Sequence, residues 1–262
     1  MMYAEIILWI GAFILGTVLG SFSGALIHRL HFDKPGFWTG RSECPECKTT
    51  LKWWNLFPLF SYAFQRGKCA YCHKKIPFIY FILELVFGVT FLLFVQKFSS
   101  SVEVIPLLIA VWGLLVLFFY DYLYFEVDLR IVIPAILLAF VWVFFKEQTY
   151  TFYLIGAAIG GGFYAIQYFI SGGKWVGAGD IYFGILLGLL LGWPLLLVCL
   201  FIAYIIGVIV AIYLMAFKHY GRKSALPMGA FLMPAGIICL YNGNWWLDLY
   251  LTWSGLGQFY SF

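Results

Sequence analysis

The sequence predicts an all-α polytopic membrane protein, with about eight transmembrane helices and a small cytosolic zinc-knuckle domain between the first two. Three observations lead there: a composition that is 64% hydrophobic and only 11% charged, a succession of long apolar runs, and two Cys-x-x-C pairs in one polar loop. A soluble chain carries about a quarter charged residues. With 262 residues at a mean hydropathy of +0.94, too little polar surface is left to cover a globule. Water-soluble, disordered and fibrous classes are excluded together.

Lipid offers the backbone no hydrogen-bond partner, so apolar runs of about 20 residues read as helices. They cover residues 6–27, 77–96, 104–120, 129–145, 152–170, 181–191, 195–217 and 228–241. The stretch from 181 to 217 is too long for one span and breaks at Gly192-Trp193-Pro194, where proline removes a backbone donor. The first run has neither a basic leader nor a small-residue cleavage site, so it reads as a retained helix and not a signal peptide. Glycines four apart, at Gly16, Gly20 and Gly24 and again at Gly184, Gly188 and Gly192, predict faces on which helices approach closely.

Lysine and arginine set the orientation. Arg29, Lys34, Arg41, Lys48, Lys52, Arg66, Lys68, Lys74 and Lys75 fall in the first long loop, and Arg130, Lys174, Lys218, Arg222 and Lys223 in later loops on the same side. Only Lys97 and Lys146 fall on the other. The positive-inside rule then places the long loop in the cytosol and both termini outside. Beside apolar helices such a surface serves topology and anionic lipid, so the bilayer is the expected partner and nucleic acid is not.

Cys44-Pro45-Glu46-Cys47 and Cys69-Ala70-Tyr71-Cys72 supply four thiolates from two short turns, the donor set of a closed tetrahedral zinc site. The reducing cytosol argues against disulfides, and four sulfurs leave no position for a catalytic water. The site is therefore read as structural zinc in a loop too small to build a core of its own. His73, beside the second pair, is left as a surface residue.

Ionisable groups in apolar helices are costly and point to function. Asp121 closes the third span and Asp180 opens the sixth, both at the cytosolic boundary. Two carboxylates facing one another share a proton, the equipment of an aspartic protease: one activates water while its protonated partner polarises the scissile carbonyl. Gly177 and Gly179 around Ala178 allow a close backbone approach beside Asp180, which by position also suits a helix cap. Glu126 and Asp128 read as solvated loop residues, and Glu84, inside the second span, as facing the bundle or a polar cavity.

At this point the residues resemble the type IV prepilin leader peptidase and N-methyltransferase family of bacterial membrane aspartic peptidases. Gly20-Ser21-Phe22 with Ile27-His28-Arg29-Leu30 is similar to its first helix end. The paired knuckles, Arg66-Gly67-Lys68-Cys69, and Ile76-Pro77 leading to Leu83-Glu84-Leu85 are similar to its cytosolic domain and second span. Gly177-Ala178-Gly179-Asp180 corresponds to its G-x-G-D loop and Leu226-Pro227-Met228-Gly229-Ala230-Phe231-Leu232 to a later segment. The chain departs at Gly24-Ala25, where the family has N-V, at Val127, where proline usually precedes Asp128, and at Tyr182, where lysine is frequent.

The resemblance implies Asp121 and Asp180 as catalytic residues, cleavage of the leader of prepilins and pseudopilins at the cytosolic face, and N-methylation of the new terminus with S-adenosylmethionine. It offers Gly67 and Lys68 for the methyl transfer. It also implies a bacterial cell membrane, the inner one in a two-membraned cell, and leaves service to a type IV pilus, to protein secretion or to DNA uptake open. The division expected is 1–28 as a transmembrane helix, 29–76 as the zinc-binding and methyltransferase region, and 77–262 as the peptidase domain. Three other readings remain: an intramembrane protease of the Gly-x-Gly-Asp type resembling presenilins, a transporter with a structural zinc domain, and a zinc-dependent adaptor without chemistry.

Overall fold

In a computed structural model, residues 2–33, 40–145, 150–217 and 226–254 are described. Lys34, Lys146, Lys218, Arg222 and Lys223, which entered the charge count, lie outside them. Eight apolar helices stand at the places of the eight expected spans. Five are long and apolar enough to cross a membrane: α1 (Met2–His31), α3 (Ile79–Phe98), α4 (Val104–Tyr124), α6 (Tyr150–Ser171) and α8 (Trp193–Phe217). Shorter apolar helices are α5 (Leu129–Val143), α7 (Ala178–Leu191) and the first part of α9 (Gly229–Ser254). The five-residue α2 (Phe60–Phe64), and a 3-10 turn at Trp53–Asn55, fall in the loop between α1 and α3, where hydropathy gave no element. No strand occurs among the described residues; two isolated bridges, Glu43 with Thr50 and Lys68 with Lys75, lie in that same loop.

The chain divides into two compact units, Met1–Trp112 and Gly113–Phe262. In the first, α1 and α3 run antiparallel with almost no space between them. A β-carbon on Gly16 would meet the backbone of Phe87 and Gly88, one on Gly20 the backbone of Glu84, and one on Gly24 the Tyr80 ring. The glycine stripe is thus a packing face, which gains dispersion contacts where lipid provides no hydrophobic drive. The Trp112 indole N–H donates to Ser23 Oγ at 3.0 Å, and Ser23 in turn donates to the Leu19 carbonyl at 2.6 Å, so both of these groups are satisfied.

In the second unit α7 is enclosed, with Phe183, Leu186, Leu187, Leu189 and Leu191 all buried. A helix apolar on every side belongs in the middle of a bundle. Gly184 and Gly188 press against Gly160 and Gly156 of α6, backbone on backbone. Gly192 alone makes the α7–α8 turn, with φ 75° and its amide donating to the Gly188 carbonyl. Trp193 and Pro194 belong to the first turn of α8, where a missing proline N–H has no intrahelical partner to lose. The last helix runs beyond the expected end at 241, to Ser254, across a break at Asn242 with φ −142°.

Candidate active site

Asp121 sits in the last turn of α4 and Asp180 in the first turn of α7, and both side chains are enclosed, at 5% and 7% exposure in otherwise apolar surroundings. They lie within electrostatic reach of one another. Each is braced by the amino end of a helix. The Ala230 N–H, at the start of α9, donates to Asp121 Oδ2 at 2.8 Å, and the Gly229 N–H adds a second bond. The Gly177 N–H donates to Asp180 Oδ2 at 2.9 Å. Amides at a helix start lack intrahelical acceptors and carry the positive end of the helix dipole, so a carboxylate is their natural partner.

Asp180 is consequently not the cap of α7. That place belongs to Gly177, with extended backbone, and Asp180 at the third helical position reaches back to it. Gly179 has a separate task. A β-carbon there would overlap the Val127 side chain, so the loop that follows Asp121 is seated on the turn that carries Asp180. Gly229 is equally confined, between the Phe183 ring and the Asp121 carboxyl group. Sequence reasoning did not single out Gly229, Ala230 or Phe183 for the site. Gly229 and Ala230 belong to a segment quoted for the resemblance, but no spacing rule ties position 230 to position 121.

Asp128, read from sequence as solvated, caps α5 and pairs with Arg130. Its carboxylate accepts from the Arg130 amide at 2.8 Å and stands 2.7 Å from the guanidinium. Burial pushes this carboxyl group up, but Arg130 outweighs burial and holds it below the ordinary carboxylate range.

The four cysteines converge, with all four sulfurs within 4.8 Å of one another. A zinc ion held by four sulfurs at about 2.3 Å puts neighbouring sulfurs about 3.8 Å apart. Cys44 Sγ and Cys72 Sγ stand 3.8 Å apart, so the donor set fits that ion. The two knuckles repeat one backbone pattern. Cys44 N–H donates to Thr49 O and Lys48 N–H to Cys44 O; Cys69 N–H donates to Lys74 O and His73 N–H to Cys69 O. Lys48 and His73 occupy matching left-handed positions at φ 56° and 57°. His73 therefore shapes a turn and stays exposed, as expected of it. Hydrogen bonds from the Thr49 side chain and backbone pull the Cys47 thiol down to about 6. The Lys74 amide draws Cys72 the same way, but burial and the neighbouring thiols push it up to about 11. Thiols this close do not all ionise at neutral pH unless a cation sits among them.

Gly67 takes φ 67° at the turn out of α2, with its N–H on the Tyr62 carbonyl and its own carbonyl accepting from Ile76. Lys68 pairs with Lys75 as the lead-in to the second knuckle. Their backbone geometry fits a turn and a bridge. Glu84, on α3, accepts from the Leu59 N–H at 2.7 Å and from the Ser21 hydroxyl, so it pins the knuckle loop to two helices.

Comparison with known proteins adds two successive family matches, which end at residue 212. Residues 14–98 match the Bacterial Peptidase A24 N-terminal domain and residues 108–212 the Type IV leader peptidase family. A Pseudomonas putida protein named prepilin leader peptidase/N-methyltransferase is 25% identical, over 89% of this chain and 90% of its own. A Bacillus subtilis (strain 168) protein of the same name is 29% identical over 91% and 96%. One from Myxococcus xanthus (strain DK1622) is 30% identical over 76% of this chain and 61% of its own. No solved structure matches the chain.

Proposed function

The chain belongs to the type IV leader peptidase family, and from that premise we propose that it removes the leader of prepilins and pseudopilins through Asp121 and Asp180, then N-methylates the exposed terminus. The observation that carries the reading is the pair of enclosed carboxylates, each braced on one oxygen by a helix-terminal amide. Bracing by Oδ2 leaves the opposite face of each group for chemistry. One carboxylate takes a proton from water, which attacks the scissile carbonyl while the other, protonated, donates to the carbonyl oxygen; as the gem-diol collapses the first gives its proton to the leaving amine and the second recovers one from the gem-diol hydroxyl. No covalent intermediate is required. The apolar stem of a prepilin enters from lipid while its charged leader stays in water, so the bond to be cut arrives at the interface.

The surplus of lysine and arginine supports a cytosolic position for the knuckles and both aspartates. Cys44, Cys47, Cys69 and Cys72 would hold structural zinc, which closes the loop into a folded domain and has no open position for substrate. On this reading residues 29–76 form that domain and 77–262 the peptidase. Methyl transfer is carried by the relatives' name; S-adenosylmethionine would supply the methyl group, and Gly67 and Lys68 are assigned to that activity on resemblance alone. A zinc-knuckle loop also favours this family over intramembrane proteases of presenilin type.

The deciding experiment is mass spectrometry of a prepilin incubated with the wild-type protein, Asp121→Asn and Asp180→Asn, with and without S-adenosylmethionine. The expected result is leader loss with wild type only, and a methyl-sized gain only with the donor. An intact prepilin with folded wild-type protein overturns the peptidase reading; leader loss without methyl gain overturns the second activity.

A further inference from the structure

The loop between the two knuckles carries a row of bulky aromatic side chains turned outward. Trp53 is 73% exposed, Phe64 85%, and Trp54, Phe57 and Phe60 all exceed half, as does Phe78 beyond the second knuckle. Such a patch in water is unfavourable by about 25 cal/mol for each Å² left wet. The depth of the loop suggests that it is not in water.

Glu84 fixes that depth. It lies in the second turn of α3, and its carboxylate takes the Leu59 N–H together with the Ser21 hydroxyl. On α1, Ser21 stands about 12 Å of helical rise beneath Arg29, the first charged residue beyond the apolar run. Leu59 is thus held at the level of Ser21 and Glu84, both within the apolar runs of α1 and α3. The Tyr62 ring packs at 5.4 Å on Phe81 and 6.0 Å on Phe78, which ties α2 to the same level of α3. A carboxylate inside an apolar helix and a loop amide at that depth are each costly alone, because lipid satisfies neither. Paired, the amide finds its acceptor and the carboxylate gains donors, which lowers the cost of each. Leu59 even adopts φ 62°, unfavourable for a branched side chain, while presenting its amide there.

We propose that residues 53–64 are immersed in the leaflet beside α1 and α3, with their tryptophan and phenylalanine side chains among lipid headgroups and upper acyl chains. Aromatic rings favour that zone. Charge complementarity points to lipid as the occupant: residues 40–76 hold seven lysines and arginines against two acidic residues, a match for anionic headgroups. Lys52, over the exposed Trp54 ring at 4.9 Å, sets a cation beside an outward-facing aromatic ring, the pairing of charge and apolar surface that side chains at this interface show. The zinc site would then be moored to the membrane by its own loop and not only through its ends. This inference uses the membrane-spanning character of α1 and α3 and does not depend on the reaction proposed above.

The test places the full-length protein in nanodiscs containing anionic lipid with acyl chains brominated near the headgroup. The fluorescence difference between wild type and Trp53→Phe/Trp54→Phe reports these two indoles. The expected result is a component lost to brominated lipid, shielded from aqueous iodide and unaltered by added prepilin. A component quenched by iodide and indifferent to bromine overturns the proposal. So does bromine quenching that prepilin abolishes, which would make the patch a seat for protein. Should the double variant fail to insert, hydrogen exchange of the wild-type protein decides: amides at 53–64 slower in nanodiscs than those at 44–50 support immersion, and equal rates overturn it.

Discussion

Val127 fills the space that Gly179 leaves by having no side chain, so the loop following Asp121 is locked onto the turn that holds Asp180. A displacement of about 1 Å at a reacting group costs on the order of 100-fold in rate. Gly179→Ala is therefore expected to reduce prepilin cleavage by roughly that factor while leaving thermal unfolding in detergent close to wild type. Val127→Ala in the same chain should restore part of the loss, because it vacates the contested volume. Equal activity of the single and double variants would show that this contact does not set the geometry.

The crossing of α6 and α7 is the second place where bulk is excluded. Gly160→Leu drives a side chain into the Gly184 backbone and is expected to destabilise the second unit by about 1–3 kcal/mol or more. A lowered midpoint in thermal unfolding should accompany lost cleavage, since α7 carries Asp180. Gly162→Leu, at a position with nothing near its missing β-carbon, serves as the control and should change neither.

Metal content tests the knuckles directly. Wild-type protein is expected to purify with zinc at one ion per chain, and Cys69→Ser to lose it, with new proteolytic cuts appearing between residues 40 and 76. Structural zinc contributes on the order of 10 kcal/mol to small domains of this kind. A strong chelator should reproduce the cutting pattern in the wild-type chain. Zinc retained by Cys69→Ser at full stoichiometry would remove the four-sulfur assignment.

Asp128 predicts a pH signature. Its carboxyl group is held below the ordinary value, so its stabilisation is complete above the unfolded range, about pH 4, and is lost as pH falls through the lower folded value. Arg130 is 44% exposed, which screens the pair to about 1 kcal/mol or less. Asp128→Asn keeps a capping side chain but not the charge. Its unfolding midpoint should lie below wild type at neutral pH and meet it under acid; a constant difference across the titration would assign the effect to the cap alone.

Much of this architecture was legible because it is written in local composition. Eight apolar runs gave eight helices, the break at Gly192 was marked by glycine and proline, and the cysteine spacing announced a tetrahedral donor set. Asp121 and Asp180 stood out because charge in apolar sequence is rare. What stayed hidden depends on contacts between distant segments. Gly156 and Gly160 became meaningful only against Gly188 and Gly184, and Glu84 only against Leu59. Hydropathy likewise passed over α2, whose aromatic residues look like any short apolar stretch, and stopped α9 early because polar residues cluster around Asn242.

The bond from Ala230 to Asp121 also sets an order of events during synthesis. Asp121 and Asp180 both leave the ribosome before the α9 amides that complete the first of them, 109 residues downstream of Asp121. A chain halted after α8 would carry both acids in the bilayer and yet lack the brace on Asp121. The surroundings of Asp121 are thereby completed only when the last helix is in place, at the end of the described chain's insertion and not at its middle.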